Sequence, residues 1–451
     1  MHTLRTLCLL GLLVAPAAAD GPANGALVAT QSITDPVTAG LVARARGERG
    51  SFSKLDRLCT DVGARLSGSP QMARAVEWAA RTLEAEGVPK VWQEPVQVPH
   101  WVRGAESLVM TAPHERPMSM LGLGMSVGTA GLEAEVVVIR KWEELGPEVK
   151  GKIVLFDVPM PDGLPAVRNY GKTVGYRVGG ADKAAAHGAV GMLIRSITTR
   201  SLYTPHTGAL RYSGEQTKIP GAAIPTEDAD LISRMITAGQ TVRVRLQMGA
   251  ETLPDAESHN VLGEIEGSEH PDEIILIGAH LDSWDVGCGA HDDGAGVVEV
   301  MEAMRLIAAM DTRPKRTIRA VLFTNEENGT RGGKTYAEVH GDEHHVAAIE
   351  CDLGGGKPLA WGASGSDEDK AWLRTLAAPF GLPVGDGGGG ADIRPLKSSG
   401  TLLIGLRPDD AHYFDIHHTH ADTLDKVDPV ALGEATAALV SLTWTLANAD
   451  R

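Results

Sequence analysis

Cysteine is scarce here: the chain has four among 451 residues. Cys8 falls in an N-terminal leader, which leaves Cys59, Cys288 and Cys351, and three thiols close at most one internal bridge. A fold stapled by disulfides is therefore excluded. Lysine and arginine form no runs, and 42 basic against 58 acidic residues give a net charge of −16. That balance argues against nucleic acid or an anionic membrane as a partner. There are no internal repeats, and low complexity is confined to glycines 387–390. Those glycines lack the Lys-Ser/Thr that completes a phosphate loop, and the H-E-x-x-H signature of single-zinc proteases does not occur. Gly124-Met125-Ser126-Val127-Gly128 has the spacing of a serine-hydrolase elbow, but a strand follows it where that chemistry needs a helix.

What is present begins with the leader. Arg5, the apolar stretch from Leu7 to Val14 and Ala17-Ala18-Ala19 form a signal-peptide pattern, cleaved after about Ala19. The stretch is too short to span a bilayer, and no cysteine follows it to carry a lipid. The mature protein is expected to be exported, to a periplasm or the medium. There, Cys288 and Cys351 could pair or remain buried free thiols.

A chain of 451 residues exceeds one ordinary core, so two domains are expected. Residues 20–45 read as a loose lead-in. Leu55, Leu58 and Val62, then Ala75, Trp78, Ala79 and Leu83, predict two helices interrupted at 63–70. Residues 121–250 change character, with short strands at 135–139, 152–156, 191–194 and 241–246 and an Ala-rich helix near 181–187. They read as a separate α/β insert within a discontinuous main domain, 46–120 and 251–451. Beyond 260, strand and helix alternate. The apolar runs 274–278, 318–323, 346–349 and 402–406 suit strands of a sheet covered on both faces. Val297, Met301 and Met304 stripe one helix, and Asp428 with Pro429 starts the last.

Open parallel sheets place their sites beyond the carboxyl ends of the strands. His280, Glu326, Glu327 and Asp352 all fall at such ends, and Asp292 follows His280 by twelve positions. Imidazoles and carboxylates are zinc ligands, and one carboxylate can bridge two metals. The expected site has His280, Asp292 and Asp352 on one zinc, with Asp292, Glu327 and a histidine on the other. Two Zn²⁺ against three carboxylates leave one positive charge for a hydroxide. Glu326 points away from its neighbour and would act as general base; Asp282, two residues after His280, would orient that ring. The second-site histidine is open by spacing, since His412, His417, His418 and His420 crowd one loop. Glu343-His344-His345 reads as a solvated helix end.

Residues 62–69, 99–101, 205–208, 278–287, 313–317 and 417–423 together resemble the co-catalytic zinc exopeptidases of the aminopeptidase S/transferrin-receptor type. His280-Leu281-Asp282-Ser283-Trp284-Asp285-Val286-Gly287 is the most specific of these stretches. The resemblance covers nearly the whole mature chain. It implies two Zn²⁺ held by His280, Asp292, Glu327, Asp352 and His418, with Glu326 as catalytic base; Asp422, four positions after His418, favours that histidine. It implies an α/β zinc-exopeptidase sandwich, a mostly parallel central sheet covered by helices on both faces, with an inserted protease-associated α/β domain over the site. It also implies a homodimer that cleaves small unblocked peptides through a metal-bound hydroxide. Departures are Cys288 for a Gln-like residue, Asn325 before the glutamates, Leu353-Gly354-Gly355-Gly356 after Asp352, and His417 where relatives carry an oxyanion-donating tyrosine. His417 and Tyr413 are then the candidates for that donor.

The expected activity is that of an exported dipeptidase or carboxypeptidase. The rivals are an aminopeptidase of the same family and a non-catalytic binding module on the same fold. A dead module would have lost several of the six side chains.

Overall fold

The computed structural model describes residues 33–451, so the leader expected at 1–19 lies outside the described residues. Two eight-stranded sheets divide the chain. The first runs, edge to edge, through Lys90–Val102, Glu251–Ile265, Arg316–Phe323, His270–His280, His344–Glu350, Leu402–Pro408, Pro358–Ser364 and Val384–Asp386. Its central pairings are parallel and antiparallel ones flank them.

Alternation of side chains across the pleat explains why the central strands are apolar throughout. Ile275 and Ile277 enter a core with Leu41, Met72, Leu83, Met301 and Leu439. Ile274 and Leu276 face the other way, against Tyr336, Ile393 and Leu396. Helices Pro36–Glu48, Pro70–Ala85, Ala295–Ala308 and Pro429–Asn448 cover the first face; Arg331–His340 and the turn Arg394–Ser399 cover the second. The last helix is capped as expected, Asp428 accepting from the Val430 N–H. It is long and apolar enough to cross a membrane, yet 83% of its apolar stretch is buried in this protein. It is the main helix of the core.

The second sheet orders Arg116–Met118, Glu106–Ala112, Arg243–Met248, Thr129–Ile139, Ile153–Phe156, Gly191–Arg195, Gly221–Ile224 and Leu121–Gly122. Val154 and Phe156 pack on Ala181 and Ala184 of helix Ala166–Ala186. Ile153 and Leu155 pack on Ile232 and Met235 of helix Thr226–Thr237. The two sheets meet beside the carboxyl ends of the parallel strands. Tyr413 and Phe414 share a cluster with Leu123, Ile139 and Phe156, and Trp284 shares one with Leu108 and Leu246.

Three expectations change. The border at 120 moves upstream, because Glu106–Ala112 pairs with Arg243–Met248 and buries Leu108 and Met110 in the second sheet's core. The described end of the lead-in is helix: Asp35 caps Pro36–Glu48, which buries Leu41, Val42 and Ala45. His344 opens a strand and His345 is buried, its ring accepting from Tyr336 Oη at 2.8 Å, so this segment is no solvated helix end.

Candidate metal centre

Register brings three strand ends together. His280 pairs with Phe323 and Gly278 with Glu350, so His280, the Glu326-Glu327 pair and Asp352 emerge side by side. Asp292 arrives on the loop before helix Ala295–Ala308, and His418 on the loop after the short helix Tyr413–Ile416. His418 has φ +62°, a left-handed conformation costly for a residue with a side chain.

Asp292 sits between the two histidines. His280 Nε2 lies 3.3 Å from Asp292 Oδ1 and 3.2 Å from Asp352 Oδ1. On the other side, His418 Nε2 lies 3.2 Å from Asp292 Oδ2 and 3.1 Å from Glu327 Oε2. His417 Nε2 is 3.5 Å from Asp292 Oδ2. His412 points elsewhere, to Arg200 and Asp415 on the surface.

Neighbouring groups fix the ring orientations. His280 Nδ1 donates to the Asp282 carbonyl at 3.0 Å and His418 Nδ1 to the Thr207 carbonyl at 3.2 Å, which turns both Nε2 atoms inward. The Asp282 carboxylate, 3.8 Å from His280, does something else: it accepts from the main-chain N–H of Glu326 (3.0 Å) and Glu327 (3.3 Å) and from Ser67 Oγ (3.2 Å). Thus Asp282 orients His280 through its main chain and anchors the glutamate pair through its side chain. Asn325 tolerates φ +66° there, an asparagine-friendly left-handed turn, and its amide bonds Ser67 and Asn328. Asp422 accepts from the His291 and Asp292 N–H groups at 2.8 and 3.1 Å, holding the Asp292 loop.

Electrostatics mark the same place. Burial opposes charge on His418, but Glu327 and Asp292 outweigh it and lift the ring to about 9. His280 is raised in the same way by Asp292 and Asp352, again against burial. Burial and then the Asp292 charge raise Glu327 to about 7, and burial with Asp352 and Glu327 raises Glu326 well above the carboxylate range. So much buried negative charge calls for cations.

The residues fit two zinc ions. The donor set is nitrogen and carboxylate oxygen, and Asp292 Oδ2 and Glu327 Oε1 are buried without a hydrogen-bond partner. Two groups of mutually close donors can hold a metal: His280, Asp292 and Asp352, and Asp292 with His417 and His418. Glu327 Oε2 lies beside the second group, 3.1 Å from His418 Nε2. Glu326 lines the adjoining cavity of about 300 Å³ without joining either group.

That cavity also shows what sequence reasoning missed. Tyr170 and Arg177, from a helix of the second sheet, line it beside Glu326, Glu327 and His418. No motif marked them, for they lie in a polar helix more than a hundred residues upstream of the strand ends. The decoy serine is structural: Ser126 is fully buried, its Oγ accepting from Gly221 N–H at 2.8 Å. All three thiols are free; Cys288 faces Cys59 and Cys351 faces Glu299, so the Cys288–Cys351 pair is not formed.

A family model described as Peptidase family M28 matches residues 260–443. Carboxypeptidase Q of Bos taurus is 39% identical over 416 residues, covering 90% of this chain and 87% of the relative. Carboxypeptidase Q of Homo sapiens is 38% identical over 416 residues, with coverage of 90% and 87%. Among solved structures, a peptidase M28 precursor from Shewanella amazonensis SB2B superposes with TM-score 0.88 at 38% identity, covering 92% of this chain and 97% of that one. A zinc aminopeptidase from Bacillus subtilis shares the fold, with TM-score 0.66 at 19% identity and coverage of 89% and 95%.

Proposed function

The chain belongs to peptidase family M28 and is a metallopeptidase, and on that premise we propose an exported di-zinc exopeptidase that hydrolyses small unblocked peptides, of dipeptidase or carboxypeptidase type. One observation carries the reading: Asp292 turns one oxygen to His280, which also meets Asp352, and the other to His418, which also meets Glu327. Two Zn²⁺, one held by His280, Asp292 and Asp352 and one by Asp292, Glu327 and His418, would acidify a water and polarise the scissile carbonyl.

The chain's own residues supply the rest. Glu326 holds the proton of the attacking water and passes it to the leaving amine. Burial lifts its basicity above the ordinary carboxylate range, which suits that exchange, and the Asp282 carboxylate fixes its main chain. Tyr170, Val174, Tyr413 and Phe414 wall the cavity, whose volume of about 300 Å³ suits a ligand of dipeptide size. The second sheet acts as a protease-associated lid. The leader read at residues 1–19 supports export, and the family resemblance supports a homodimer.

Free dipeptides assayed beside N-acetylated and C-amidated analogues test this reading. Hydrolysis of the free forms, lost on chelation and recovered with Zn²⁺, is expected. Activity that survives complete demetallation would contradict it.

A further inference from the structure

Nucleophilic addition to a carbonyl places negative charge on its oxygen, and a pre-aimed donor there is worth two to three orders of magnitude in rate. Three aromatic side chains in the cavity wall could donate: His417, Tyr413 and Tyr170. Their surroundings separate them. His417 stacks on His418 with centroids 3.5 Å apart and directs Nε2 at Asp292, 3.5 Å away. That nitrogen faces the carboxylate shared between the two histidines. Tyr413 is buried, and among the described residues no cation donates to its phenol.

Tyr170 differs. Its Oη accepts a hydrogen bond of 2.7 Å from Arg177 Nη1, and among the described residues it donates to no protein acceptor. Accepting from a cation polarises its O–H and leaves that proton for another partner. Arg177 is itself immobilised: Nε donates to the Ala209 carbonyl at 3.3 Å and Nη1 also donates to the Thr207 carbonyl at 3.4 Å. Gly208, at φ +131°, makes room, since a Cβ there would lie 2.3 Å from the guanidinium. The Tyr170 ring is clamped by Phe414, stacked at 4.8 Å, and by the edge of His417 at 5.2 Å.

We propose that Tyr170, carried by the second sheet, is a catalytic residue whose phenol donates to the oxygen of the scissile carbonyl as charge develops, with Arg177 as its positioning residue. The inference rests on the proposed hydrolytic function and adds that the lid contributes chemistry to the site.

The test uses the full-length zinc-loaded enzyme and its Tyr170→Phe, Tyr413→Phe and Arg177→Met variants. Tyr170→Phe is expected to lower kcat roughly 10²–10³-fold with KM nearly unchanged. By calorimetry its affinity for a phosphinate dipeptide analogue, tetrahedral and anionic, falls at least tenfold, while that for the product amino acid and the zinc content stay constant. Tyr413→Phe lowers kcat by a smaller factor than Tyr170→Phe, and the reverse order would overturn the assignment of the donor to Tyr170. Arg177→Met lowers kcat alone but adds little once Tyr170 is Phe, the non-additivity of residues acting as a unit. Wild-type turnover and phosphinate binding in Tyr170→Phe would overturn the inference, as would equal losses for phosphinate and product. A wild-type enzyme without zinc-dependent hydrolysis would instead sink the proposed function, and this inference with it.

Discussion

Both sheets hold a buried aspartate at the carboxyl ends of their parallel strands, and the two aspartates live differently. In the second sheet, Asp157 follows Ile153–Phe156 and is fully answered: Arg195 at 3.1 Å, Arg140 at 3.3 Å and Ser233 Oγ at 2.6 Å. In the first sheet, Asp292 meets two imidazoles and other acids, and Asp292 Oδ2 has no hydrogen-bond partner. A buried carboxylate answered by arginines is architecture. One gathered with histidines and left unanswered is a place for a cation.

The sharpest way to break that contrast is to neutralise each aspartate in turn. Asp292→Asn should cost at least about 10³-fold in kcat/KM and release zinc, a loss on the scale of removing a group that acts with both metals. Asp157→Asn should leave kcat within about threefold and cost roughly 1–3 kcal/mol of stability, since Arg195 loses a buried partner. Steady-state kinetics beside urea unfolding reads both, and equal effects on activity would erase the distinction. Next in size, Glu326→Gln should keep both zinc ions while kcat falls at least about 10²-fold, as measured by metal analysis and single-turnover hydrolysis. Zinc removal should then lower the Tm, by about 3 kcal/mol of linkage when free zinc is a hundredfold over its Kd.

The smallest expected effect lies far from the centre. His345 donates from Nδ1 to the Glu343 carbonyl and accepts from Tyr336, and burial holds it neutral, down to about 4. Its folded value lies below the ordinary 6.5, so the unfolded chain takes up the proton first. Stability is whole above that value and drains as pH falls toward 4, by up to about 3 kcal/mol. His345→Gln should flatten the fall of Tm below pH 6.5; an unchanged slope would assign the acid loss elsewhere.

How legible this was depended on where each residue sits. Strand ends of a parallel sheet announce themselves, so the sequence exposed His280, Glu326, Glu327 and Asp352, and the both-faces-covered sheet behind them. A crowded loop does not: among His412, His417, His418 and His420 spacing leaves the choice open, the family pattern with Asp422 favours His418, and in the fold it is His418 that meets Glu327. Asp282 could be named but not its division of labour between carbonyl and carboxylate. Tyr170 and Arg177 were invisible because seven residues along a polar helix look like any solvated face until a second sheet is laid over the first. Strand Glu106–Ala112 escaped for a related reason: a short apolar run does not say which of two cores it enters.

Anomalous diffraction from crystals at the zinc absorption edge tests the central claim most directly. Two peaks should appear, one among His280, Asp292 and Asp352 and the other among Asp292, Glu327 and His418. A single peak, or a second one bound by His417 in place of His418 and Glu327, would contradict it.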